Sequence, residues 1–176
     1  MSMMRIGEPV MREEDFRLLR GRGRYADDVN AHRQAHAHVL RSPHAHAEIK
    51  GIETGAARAM PGVLLVLTGE DYQADSLGFV RGISPGKLRD GSPMFRPDRP
   101  GLTNDRVRHV GQAVALVIAG SIDQAEDAAE AILVDYDPLP AHMATATANA
   151  PDTPALRAEA PNNEAMYAEN GDAAST

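Results

Sequence analysis

Two closely spaced histidine pairs have the side-chain type and spacing to do chemistry, His36-Ala-His38 and His44-Ala-His46. In an extended strand, residues i and i+2 share a face, so each pair could offer two imidazole nitrogens to one metal ion. A structural role accounts for both pairs more simply, because strand histidines usually serve packing and surface hydrogen bonds. His36, His38, His44 and His46 are therefore kept as the metal-binding alternative, and the expected metal set is empty. Between the pairs, Arg41-Ser42-Pro43 reads as a strand-ending turn, with Pro43 holding Ser42 extended. Gly21 and Gly23 begin a glycine pattern of the dinucleotide-binding type. No strand precedes them and the third glycine is missing, so they are expected to shape a turn instead. Tyr25 is expected to pack there, with Asp27 and Asp28 bonding local amides. The acidic residues Asp123, Glu126, Asp127 and Glu130 recur at helical spacing and read as a solvated helix face, not as an acid/base or metal site.

The clearest element is the stretch from Asp105 to Ala141, which reads as one β-α-β unit. Val114 to Ala119 form an unbroken apolar run suited to a buried strand. Gly120 breaks the run, and Ser121 followed by Gln124 has the form of a capping box. The following helix places Ile122, Ala125, Ala129 and Ile132 on one face. From Ser121 to Ala131 it would span roughly 16 Å, enough to return Ile132 to Tyr136 beside the first strand. Pro138 and Pro140 then end the unit.

Upstream, strands are expected over Ala35 to Leu40, Glu48 to Glu53 and Val63 to Leu67. Thr54 can cap a short helix from Gly55 to Met60, which Pro61-Gly62 ends, and Glu70-Asp71 begin a further helical turn. From Gln73 to Asn104 there is no sustained periodicity. Four prolines and five glycines punctuate this segment, with Arg81, Lys87, Arg89, Arg96 and Arg99 outnumbering Asp90 and Asp98. A loop this long in a small domain is functional or disordered, and it reads either as a surface that docks on further domains or a partner or as a solvated loop. Val80, Ile83, Leu88, Met94 and Phe95, set among its basic residues, are the candidate partner interface. After His142 the chain turns to Ala, Pro, Asn and Thr, a linker composition expected to be loose.

Composition limits the possibilities. The chain of 176 residues carries a net charge of -7, with 43% apolar and 4% aromatic residues and no Trp or Cys. One aliphatic core is expected. The acidic balance argues against nucleic acid and anionic membranes as partners, and the arginine-rich first thirty or so residues are nearly balanced by Glu and Asp. Disulfides and thiolate-held iron–sulfur clusters are excluded in these residues. MSMMRIGEPV has no apolar signal core and no run approaches membrane-spanning length, so a cytoplasmic location is the expectation.

Five blocks together resemble one family: GRGRYADDV (Gly21 to Val29), RSPHAHAEI (Arg41 to Ile49), MPGVLLVLTGED (Met60 to Asp71), DRVRHVGQAVALVIA (Asp105 to Ala119) and AEDAAEAILVDYDPLPA (Ala125 to Ala141). In order and spacing they are similar to the amino-terminal α/β-hammerhead domain of the molybdenum hydroxylase large subunit, the family of xanthine dehydrogenases, aldehyde oxidases and carbon monoxide dehydrogenases. The resemblance runs from about Gly7 to about Asp172. It implies an α+β fold, an α/β-hammerhead with a mixed β-sheet, two main helices and the long Gly/Pro-rich loop. The expected divisions are an extension over 1–20, the hammerhead over 21–145 and a linker-like tail over 146–176 towards a cofactor domain.

The resemblance also implies an oxidoreductase that uses molybdopterin, with iron–sulfur clusters and FAD on companion subunits or domains. The family's pterin-binding segments and the glutamate beside its metal follow the hammerhead. No catalytic or cofactor-binding residue therefore maps onto these positions, and the chain alone is expected to be inactive. The block holding His44 and His46 is not one the family uses for metal. The expected partner is a cofactor-binding domain or subunit of such an enzyme, or a second copy of the chain. The alternative is a free-standing accessory domain that binds metal through the histidine pairs.

Overall fold

Among the described residues, six short strands and four α-helices form, and none of these strands pairs with its immediate successor in sequence. The computed structural model describes residues 7, 9, 11–83 and 86–171. The chain divides into two compact units, Met1–Gln34 and Ala35–Thr176. The first unit holds one turn of helix, α1 (Asp15–Leu18), and a 3-10 turn over Ala26–Asp28. The guanidinium of Arg20 lies 4.4 Å from the Phe16 ring centre. The Asp28 carboxylate accepts from the Tyr25 amide at 2.9 Å, as the sequence suggested, but Tyr25 itself is 67% exposed. Its ring is not a packing residue within the described structure.

The second unit carries the strands. They are β1 (His36–Arg41), β2 (Ala47–Glu53), β3 (Val63–Thr68), β4 (Arg106–Val107), β5 (Ala113–Ala119) and β6 (Leu133–Pro138). Between them lie α2 (Gly55–Arg58), α3 (Gly69–Ala74) and α4 (Ile122–Glu130). The strands form two antiparallel sheets of three, in the orders β1-β5-β3 and β4-β2-β6. The hammerhead fold class is found, but the strands do not join in one mixed sheet. The reason lies at β5, whose two edges are already taken by β1 and β3, in registers such as His38↔Val117 and Leu67↔Leu116. The strand after α4 therefore cannot lie beside β5, and β6 pairs with β2 instead (Ile49↔Tyr136, Ile52↔Val134). The expected β-α-β unit thus bridges two sheets.

Alanines set the packing of α4. Ala125, Ala128 and Ala129 are buried against β1 and β5, where Ala115, Val117 and Ala119 are buried too. Small side chains on both surfaces let helix and sheet approach closely, which suits a chain with so few aromatic residues. Ala128 replaces Ile122 on the buried face. Ile122 is the first helical residue and stays 43% exposed, while Ile132 is buried at 6%. Ser121 caps the helix by accepting from the Gln124 amide at 3.2 Å. The Gln124 side chain does not close the box, because it lies against Gly62. Ile52 and Val134 touch both this cluster and a second one of Ala47, Val107 and Val114, so the two sheets share one apolar interior.

Two caps differ from expectation. Thr54 does not cap α2, because its hydroxyl accepts from Arg58 Nε at 2.9 Å. Thr68 does cap α3, in a reciprocal box with Asp71. The described part of the tail also bonds to the long loop. Phe95 N donates to Ala165 O at 2.9 Å, Tyr167 N donates to Lys87 O at 2.8 Å, and Ala160 is only 7% exposed. Among the described residues no helix is long and apolar enough to cross a membrane.

Candidate docking groove

His38, His44 and His46 each meet a different neighbour. His36 and His38 share a face of β1, where His38 Nδ1 lies 3.6 Å from Glu126 on α4. His44 sits in the turn into β2, its ring 4.8 Å from that of Tyr136, and its amide donates to Ser42 Oγ at 3.0 Å. Burial raises the Tyr136 phenol above its ordinary value, with Ser42 opposing through a hydrogen bond. His46 Nδ1 is 2.8 Å from the Pro140 carbonyl. A carbonyl can only accept, so Nδ1 carries the hydrogen, and Nε2 is left buried without a partner. Among the described residues no group of three or more His, Asp or Glu side chains is placed to hold a metal ion.

A wide concavity opens beside His46. The end of α3, the long loop, the 108–113 turn and the segment 154–165 enclose an open groove of about 1590 Å³. Each wall has an identifiable cause. The loop is tied across itself by the Val80↔Arg99 bridge and by Arg81 paired with Asp98 at 3.0 Å. It is tied to the tail through Lys87↔Tyr167, with the Arg89 guanidinium 4.1 Å from the Tyr167 ring centre. Thr103, 1% exposed, anchors the loop's end by donating to the Arg106 carbonyl at 3.1 Å. Asn163 ties the tail to itself, donating to Ala148 O and Pro154 O and accepting from Leu156 N.

The five candidate interface residues divide in two. Val80 and Ile83 are 65% and 94% exposed. Leu88, Met94 and Phe95 are half-buried where loop meets tail, with Met94 Sδ and Met166 Sδ both against Gly86. Sequence reasoning missed Leu77 and Phe79, which are 59% and 53% exposed and continue the apolar rim. The contiguous run Leu77-Gly78-Phe79-Val80 was the available signal. It also missed Arg157, which enters the groove from the tail and which nothing in the sequence links to the loop.

A second charged patch crosses β2 and β4. Lys50 and Arg106 each reach Glu48 at 2.6 Å, Lys50 the stronger influence, and they hold its carboxyl below the ordinary value. Glu48 in turn raises Lys50. All three are surface groups, and the patch has the character of cross-strand pairing.

The chain belongs to the aldehyde oxidase and xanthine dehydrogenase a/b hammerhead domain family, whose pattern matches residues 20–140. It is 43% identical over 134 residues to the nicotine 6-hydroxylase large subunit of Paenarthrobacter nicotinovorans, covering 76% of this chain and 16% of that subunit. It is 37% identical over 147 residues to the carbon monoxide dehydrogenase large chain of Afipia carboxidovorans, covering 83% and 17%. Among solved structures, quinoline 2-oxidoreductase from Pseudomonas putida 86 matches with a TM-score of 0.69 and 40% identity, over 81% of this chain and 17% of that one. The chain spans about a sixth of the length of these relatives. The family implies a molybdenum–pterin group; among the described residues there is no thiol and no group of three or more metal-ligating side chains placed to hold its metal directly.

Proposed function

We propose that this chain serves as the hammerhead module of a molybdopterin-dependent hydroxylase large subunit, an oxidoreductase that oxidises a small substrate with oxygen taken from water. Other domains or subunits would carry the molybdopterin, the iron–sulfur clusters and FAD. These 176 residues by themselves then turn over nothing. The observation that carries the proposal is the family match across residues 20–140, joined to a large groove with an exposed apolar rim. A cofactor of this kind supplies the chemistry, and the protein must position it. A domain without ligands for it contributes by packing against the domain that has them. A cytoplasmic setting is part of the proposal, and fractionation of the producing cells tests it.

The main test is co-expression of this chain with the nicotine 6-hydroxylase large subunit from which the matched segment has been deleted. The two should copurify. The chain alone should contain no molybdenum by elemental analysis and should reduce no dye with aldehydes, purines or carbon monoxide. Stoichiometric molybdenum in the isolated chain, or failure to associate with the deleted subunit, would overturn the proposal.

A further inference from the structure

The groove is basic in a chain whose net charge is -7. Five arginines and three carboxylates line it. Arg157 is half-buried there and has no ion pair among the described residues. Burial, then the charge of Arg108 and to a lesser degree that of Arg99, hold its guanidinium below the ordinary value, with Glu159 and Asp105 offsetting only part. Arg108 is incompletely met as well. Its Nη1 donates to the Arg106 carbonyl at 3.1 Å and its Nη2 lies 3.6 Å from Asp105, while its Nε is buried with no partner. Asp105 is already engaged, accepting from the Arg106 amide at 2.6 Å. Like charges gathered on a partly dry surface, with a donor left unmet, are stabilised by an incoming anion.

The occupant can be narrowed by size and surroundings. Sites for small molecules measure about 300–1000 Å³, and this groove is larger and open along its length. Its rim carries Leu77, Phe79 and Val80, which a lone inorganic anion would leave exposed. We propose that the groove receives an acidic segment of a covering polypeptide. A Glu or Asp carboxylate would sit between Arg99, Arg108 and Arg157, and apolar neighbours of that residue would lie against the rim. The inference rests on the module role proposed above and names the chemistry of its partner. Because the chain spans about a sixth of its relatives' length, most of such a subunit is available to supply the segment.

The probe is a set of overlapping peptides of about 15 residues, taken from the nicotine 6-hydroxylase large subunit outside the matched segment. Fluorescence anisotropy should find binding by peptides that carry Glu or Asp beside apolar residues. Binding should weaken ~10-fold or more when those acids become amides, and likewise in Arg157→Gln and in Arg99→Gln. Arg99 is exposed, so its variant guards against a folding artefact at Arg157. Raising salt from ~50 to ~300 mM should weaken binding further. Absence of peptide binding, or binding indifferent to all of these charges, overturns the inference. Saturable micromolar binding of inorganic phosphate, with none of the peptides bound, overturns it in favour of a free small anion. A chain that joins the deleted subunit on co-expression yet ignores acidic peptides leaves the module role standing and sinks this inference alone.

Discussion

Asp71 closes the start of α3 with a single carboxylate oxygen. Oδ2 accepts from the Thr68 amide at 2.8 Å and the Thr68 hydroxyl at 2.9 Å, and Arg58 Nη2 stands 3.5 Å away. The Thr68 backbone bond is the main reason its carboxyl sits below the ordinary aspartate value. A depressed folded value means the stabilisation is complete above the unfolded value and is lost as pH falls through the folded one. Asp71→Asn should therefore cost about 1 kcal/mol or less at neutral pH, and the difference should vanish near pH 2. Urea titrations at the two pH values check this, and an equal difference at both would refute it. The histidines call for a separate measurement. With His44 against Tyr136 and His46 bonded to Pro140, zinc should bind on the order of micromolar or weaker. The His36→Ala/His38→Ala double variant should behave the same in calorimetry. Tight binding that this variant abolishes would restore the metal-binding alternative.

Among the elements, close approaches are the sensitive points. Gly69 opens α3 under the backbone of Thr103, and a Cβ there would stand 2.5 Å from the Thr103 carbonyl carbon. Backbone cannot move aside as a side-chain tip can, so Gly69→Ala should destabilise by about 1–3 kcal/mol. Gly55 opens α2 with nothing within 4 Å of its own absent Cβ, so Gly55→Ala should be neutral or gain about 0.4–1 kcal/mol. Thermal melts of the pair give the comparison, and equal melting temperatures would contradict it. Element existence was legible in the sequence because the signals are local. The apolar run of β5 and the Ser121 cap of α4 stand as read. Pairing was not legible, since which edges of β5 are free depends on β1 and β3, drawn from elsewhere in the chain. The contacts between tail and loop were illegible for the same reason. The tail's low-complexity composition gives no sign that Phe95 and Lys87 hold its backbone through Ala165 and Tyr167.

At the scale of the whole molecule, the exposed apolar rim should govern association. Phe95, an interface candidate from sequence, is half-buried with its amide bonded to the tail, so altering it would disturb packing as well as the surface. Phe79 and Ile83 are the cleaner probes. Phe79→Asp and Ile83→Asp should each leave stability within about 0.5 kcal/mol of the parent while reducing self-association and capture by the deleted large subunit. Sedimentation velocity, with the chain alone and in the mixture, is the measurement. Unchanged association in both variants would place the interface elsewhere. The groove itself could be foreseen as a long irregular loop with basic and apolar residues, but its charge could not. Arg157 and Arg99 are far apart in sequence, and only the folded tail brings their fields together.

The strand order has a consequence for how this chain is made. His36 in β1 pairs with Ala119 in β5, and Glu53 in β2 pairs with Leu133 in β6. Nothing in the first half can complete a sheet until the second half has left the ribosome. At about 5–20 residues per second, β1, β2 and β3 wait several seconds with unpaired edges. The β1-β5-β3 sheet can close once β5 emerges, and the β4-β2-β6 sheet only after β6. The acidic outer face of α4, synthesised just before β6, then follows the exposed strands into solution, and its charge disfavours strand-to-strand contacts between neighbouring nascent chains.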